Sequence, residues 1–173
     1  RTGSFTLGPV YSYGTGSGEN QNDLFQGVDP QIVAHPSAWT DAPLKADLSM
    51  DNRAAAKLQL FAPAKLDRGV TSNVRFTHYG SLSTPIPIIR NEELILIQAE
   101  ALWFTGDPAG AMTYLNEVRT RSGGLVPLGR PANDTAFIDA LLSERRWSLL
   151  FEGGHRWIDM RRFSRLGDLP LDR

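Results

Sequence analysis

The feature that most limits how this chain can fold lies in its second half. From Ile88 to Leu166, apolar residues recur at three- and four-residue steps, interrupted at intervals by glycine. That recurrence gathers side chains on one face of a helix. The first segment, "IIRNEELILIQAEALWF" (88–104), repeats Ile89, Glu93, Leu96, Ile97, Glu100, Ala101 and Phe104 at helical spacing. It is apolar on most sides, as expected of a helix buried between neighbours. In "TGDPAG", Gly106 suits a helix C-terminus, Asp107 an N-cap and Pro108 the first helical position of the next segment. A second helix is predicted over 108–123, with Ala111, Leu115 and Val118 on one stripe and Gly123 and Gly124 as its stop. A connection this short makes the two helices antiparallel neighbours. After the loop "GLVPLGRPAND", Asn133 or Asp134 caps a third helix over 135–153, and "HRWIDMRRFSRL" (155–166) forms a fourth beyond Gly153 and Gly154.

Residues 1–85 read differently. They hold half of the glycines and few long apolar runs, and "YSYGTGSGEN" (11–20) is loop. "AKLQLFAP" (56–63) and "NVRFTHYG" (73–80) alternate in strand fashion, the first ending at Pro63. The fold expected is mainly α: tetratricopeptide-like antiparallel helical hairpins over 86–173, with a loop-rich segment over 1–85 that carries one or two short strands and forms one structural unit with them. Repeats of this kind normally need about three units, and only two hairpins are present. The chain also begins with Arg1 rather than Met and ends in "LGDLPLDR". It is therefore expected to be a portion of a longer protein.

Charge and composition exclude some functions. The formal net charge is −1, so no global field recruits nucleic acid or an anionic membrane. With no cysteine there is no disulfide framework, thiolate metal site or cysteine nucleophile. His35, His78 and His155 are far apart and lack ligand spacing, so no metal or cofactor is expected. "GTGSG" (14–18) has the glycines of a phosphate loop without its Lys-Ser/Thr or following helix.

The stretch "ERRWSLLFEGGHRWIDMRR" (144–162) places five arginines and three carboxylates around an apolar "LLF". Charges on or beside apolar faces must be paired, since their desolvation is otherwise costly. Arginine suits the task because its planar fork can hold two carboxylate oxygens. Glu100, Glu144, Glu152 and Asp159 with Arg119, Arg146 and Arg156 are read as a structural ion network. Within it, Glu100, Glu152 and Asp159 are expected to be clamped by Arg119, Arg146 and Arg156. A glycosidase pair would need one carboxyl kept protonated, whereas a local excess of arginine lowers carboxylate pKa values. A nucleic-acid surface would need a solvated basic stripe, whereas here acids are interleaved. No catalytic residues are assigned, and the chain is not read as an enzyme.

Aromatic residues of the loop-rich half offer a binding chemistry. Tyr11, Tyr13, Phe25 and Trp39 lie among Asn20, Gln21, Asn22 and Asp23. Rings stack on the C–H faces of sugars, and amides bond hydroxyls. Tyr11, Tyr13, Asn20 and Trp39 are the candidate ligand contacts. The competing reading has Trp39 and Phe25 anchoring the loops on the helices.

"PIIRNEELILIQAEALWFTGDPAGAMTYLNEVRTRSGG" followed by "FIDALLSERRWSLLFEGGHRWIDMRRF" resembles the SusD/RagB family, whose two signatures run in this order and spacing over residues 86–163. "MDNRAAAKLQLF" is similar to its Asp-x-Arg segment. Ser148 stands where the family often has Glu, and Gly154–His155 where one residue commonly separates Gly from Arg. The resemblance implies a surface-exposed outer-membrane lipoprotein, of which this chain covers the later portion. Such a protein captures oligosaccharide or peptide nutrients for a SusC-type TonB-dependent barrel and does no chemistry on them. The alternative is a helical-repeat protein-interaction scaffold that holds a peptide without binding sugar.

Overall fold

The computed structural model describes residues 4–67 and 69–170. Helices dominate the second half: α3 (Asn91–Phe104), α4 (Pro108–Arg121), α5 (Asp134–Ser148) and α6 (His155–Arg162). The first half carries two short helices, α1 (Ser37–Thr40) and α2 (Asn52–Lys57), and five strands: β1 (Val10–Tyr11), β2 (Val33–Ala34), β3 (Leu58–Asp67), β4 (Val70–Phe76) and β5 (Ile86–Pro87). The mainly helical expectation holds, with more strands than the one or two foreseen.

The α3–α4 hairpin follows from its turn. The Asp107 carboxylate accepts from the Gly110 backbone N–H at 2.9 Å, and Pro108 occupies the first turn, where its missing N–H is not needed. α3, α4 and α5 bury Leu96, Leu115, Val118, Phe137 and Leu141 in one core. α3 carries apolar residues on most sides, and its inward side meets this core. Its outward side leaves Leu94, Ile97 and Phe104 about half exposed, so the expectation of a helix enclosed by neighbours is met on one side only.

β4 is central in a three-stranded antiparallel sheet of order β2–β4–β3, and β1 pairs with β5 in a separate ribbon. Pro63 does not end its strand, as had been expected; β3 runs on to Asp67. The ladder is irregular between Leu60 and Lys65, which removes the need for an N–H at Pro63. A second core lies where the sheet, α1 and α2 meet the end of α5, and it includes Ala34, Ala54, Leu58, Val74 and Trp147.

α5 ends at Ser148, five residues before the predicted stop, because Phe151 adopts a left-handed backbone (φ 60°), as do Gly153 and Gly154. The turn is held from outside. The Phe151 ring stacks on Phe76 of β4 at 3.9 Å between centroids, and the Tyr79 hydroxyl lies 3.4 Å from the Phe151 carbonyl oxygen, in position to donate to it. This turn sends Glu152 toward the sheet rather than along the face of α5.

Candidate functional site

Two buried acidic centres join the halves of the chain. The inward face of α5 carries Glu144, which is fully buried. Arg119 of α4 donates to its Oε1 at 2.6 Å. Arg53 of α2 lies on the other side, with Nη1 2.8 Å from Oε2. The two hydrogens of that nitrogen go to the Ser148 hydroxyl, 3.0 Å away, and the Glu144 carbonyl oxygen, 3.4 Å away, so it faces Oε2 chiefly as a charge. Among the described residues Oε2 has no hydrogen-bond donor. Arg53 also forks onto Asp51 through Nε at 3.0 Å and Nη2 at 2.6 Å. Burial works against the Arg53 cation, but Asp51 and Glu144 outweigh it and hold the guanidinium above its ordinary range.

Glu152 is the second centre. Lys57 reaches its Oε1 at 2.9 Å and Arg90 donates to its Oε2 at 2.7 Å. His78 Nε2 stands 3.0 Å from Glu152 Oε1 and 2.9 Å from Arg90 Nη2. A neutral ring nitrogen can donate to the first or accept from the second, not both. Burial alone would raise the Glu152 pKa; the His78 bond and the Lys57 and Arg90 charges overcome it and bring the carboxyl down to about 2. Burial pushes the Lys57 ammonium and the His78 ring below their ordinary values.

The acids expected to be clamped are therefore paired, but not with the arginines named for them. Glu100 binds Arg162, Glu152 binds Lys57 and Arg90, and Asp159 accepts from Arg145 at 2.7 Å. Arg119 serves Glu144 instead, and Arg146 lies 3.1 Å from Asp41. Arg156 forms no hydrogen bond or ion pair among the described residues. Two of the true partners, Arg145 and Arg162, lie inside the charged stretch, where the sequence does not rank its five arginines. Arg53, Lys57 and Arg90 come from far upstream, and the one available signal was "NRAAAK", two bases four residues apart on a short helix whose Ala54 is fully buried.

Beside this network the Phe151 turn opens onto a cleft of about 570 Å³. Its stacked Phe76 and Phe151, with Leu149 and Leu150, make an apolar floor, and Trp157, Arg146, Arg156 and His155 stand around it. Trp157 is 56% exposed. A rigid apolar floor beside an exposed indole and a guanidinium can receive a flat, amphipathic ligand by stacking and directed hydrogen bonds. Among the described residues there is no group of His, Asp and Glu that could hold a metal ion, and no helix is long and apolar enough to cross a membrane.

The loop-half candidates sit elsewhere. Tyr11 is exposed on β1, whose partner is β5. Asn20 is exposed, and its carbonyl oxygen accepts from the Gly14 N–H at 3.0 Å, closing the glycine loop. Tyr13 is half-buried, close enough to Tyr79 to add to the elevation of that phenol, which burial chiefly drives up to about 12. Trp39 packs against the second core. None of the four lines the large cleft. Phe25 lines a smaller pocket of about 220 Å³ with Phe76 and Tyr79. The cleft residues were missed because Phe76, Phe151 and Trp157 read as core or helix positions in the sequence.

The model of the SusD family matches residues 65–169, which include the end of β3, the whole of β4 and of α3 to α6, and both Glu144 and Glu152. The chain belongs to the SusD/RagB family. Among SusD-family relatives, a SusD-like protein of Formosa agariphila is 35% identical over 89 residues, 47% of this chain and 18% of that protein. A SusD superfamily protein of Bacteroides vulgatus superposes with a TM-score of 0.61 at 18% identity, over 79% of this chain and 34% of that one. A SusD-like protein of Bacteroides fragilis gives 0.55 at 21% identity, over 82% of this chain and 34% of that one. These structural likenesses carry the SusD fold. The chain thus spans less than a fifth of the curated relative and about a third of the structural neighbours.

Proposed function

We propose that this chain is part of a nutrient-binding lipoprotein at the outer membrane, which captures an oligosaccharide and hands it to a SusC-type TonB-dependent barrel without chemical change. The observation that carries the reading is membership of the SusD/RagB family, combined with a cleft whose floor is aromatic and whose rim bears Trp157 and Arg156. Sugar C–H faces stack on such rings, and hydroxyls accept from guanidinium N–H groups. Tyr11 on β1, with Tyr13 and Asn20 in the loop after it, is assigned to a separate outer contact surface, and Trp39, which packs against the second core, as an anchor.

A binding role fits the acids as well. General acid catalysis needs a carboxyl that stays protonated near neutrality, and Glu152, which borders the cleft, is held at about 2. The test is titration of an oligosaccharide panel into the purified chain, followed by calorimetry and analysis of the recovered sugar. Saturable binding with the sugar returned intact is expected. Release of new reducing ends would replace capture by hydrolysis. A specific observation also favours the scaffold reading, namely the half-exposed Leu94, Ile97 and Phe104 on α3. Retention of a peptide with no sugar bound would establish it.

A further inference from the structure

The cleft holds a cation that forms no hydrogen bond or ion pair among the described residues, Arg156. Every other arginine facing it has a partner: Arg145 bonds Asp159 at 2.7 Å, and Arg146 bonds Asp41 at 3.1 Å. The remaining nearby acid, Asp168, lies 3.7 Å from Arg165. Arg156, half-buried at the start of α6, has no hydrogen bond or ion pair among the described residues. Burial and the adjacent Arg146 guanidinium both push it below the usual arginine range, with Asp159 and Asp168 pulling back. A guanidinium so placed is poorly solvated and sits next to a like charge, so an incoming anion relieves two costs at once. The neighbouring residue, Trp157, offers an exposed ring at the same rim. A smaller pocket of about 190 Å³, also bordered by Arg146 and Arg156, adjoins the same arginine pair.

We propose that the cleft takes an acidic oligosaccharide, one bearing a carboxylate or sulfate group, with the anion received by the fork of Arg156 and a sugar ring laid on Trp157. This rests on the glycan-capture reading and narrows it. The fork can hold two oxygens of either group, and the apolar floor of Phe76 and Phe151 favours the sugar's C–H face over a bare inorganic ion.

The test is calorimetric titration of the full chain with three length-matched oligosaccharide sets: neutral, uronate-containing and sulfated. The acidic sets are expected to bind at least about ten-fold more tightly than the neutral one, with affinity falling as NaCl is raised. Comparison of the uronate and sulfated sets decides which anion is preferred. Arg156→Gln should remove that ten-fold advantage, weakening the acidic sets far more than the neutral one, and Arg156→Lys should restore part of it. Circular dichroism verifies that each variant is folded; if Arg156→Gln is not, the lysine variant and the salt series decide. Equal binding of neutral and acidic sets overturns the proposal and leaves glycan capture standing, as does an acidic preference that Arg156→Gln does not touch. Failure of all three sets to bind overturns both.

Discussion

Glu144 shows what a single carboxylate can be asked to do in this chain. It is sealed between Arg53 and Arg119, so Glu144→Ala would leave two guanidinium groups facing each other in the interior. Removing one partner of a buried pair typically costs about 3–5 kcal/mol. That loss should appear as a lowered urea midpoint. Glu152 gives a pH signature. Its carboxyl lies near 2 in the folded chain against an ordinary 4.5, so the folded state holds fewer protons over that interval. The associated stabilisation, on the order of 3 kcal/mol, is complete above pH 4.5 and is lost as the pH falls toward 2. His78, also lowered, acts in the same direction, beginning below its ordinary 6.5. Denaturation curves across this range should flatten in Glu152→Gln. A variant whose acid slope matches the parent would show that other groups set it.

At the scale of elements, the turns separate two uses of glycine. Gly154 has φ 71° and open space around a would-be Cβ, so Gly154→Ala should cost only the left-handed backbone, about 1 kcal/mol. At Gly123 a Cβ would come within 2.8 Å of Arg53 Nη2 and 3.0 Å of Asp51 Oδ2. Gly123→Ala should therefore be the more damaging change, and thermal melts of the two variants rank them. The α3–α4 hairpin was legible in the sequence because cap, proline and apolar stripe agreed. The end of α5 was not, since "LLFEG" continues the apolar pattern and nothing local marks Phe151 as left-handed. The two-residue strands β1, β2 and β5 are too short to show a period. In the site, the presence of buried charge was legible, whereas the identity of its partners was not. Pairing depends on long-range packing, and the cleft depends on the Phe151 turn.

For the whole molecule, the two acidic centres tie the loop-rich half to the helices. A chain reduced to residues 86–173 would keep Arg119 and Arg90 but lose Arg53 and Lys57. We expect such a piece to lack a cooperative thermal transition, which near-ultraviolet circular dichroism would report. A sharp melt would show the helices to be self-sufficient. The same pairing imposes an order on biosynthesis. Arg53 bonds the Glu144 carbonyl across 91 positions and Lys57 bonds Glu152 across 95, so both bases leave the ribosome long before their acids exist. Until α5 emerges, the early half waits with its cations hydrated, and closure becomes an event that must await residues 144–152.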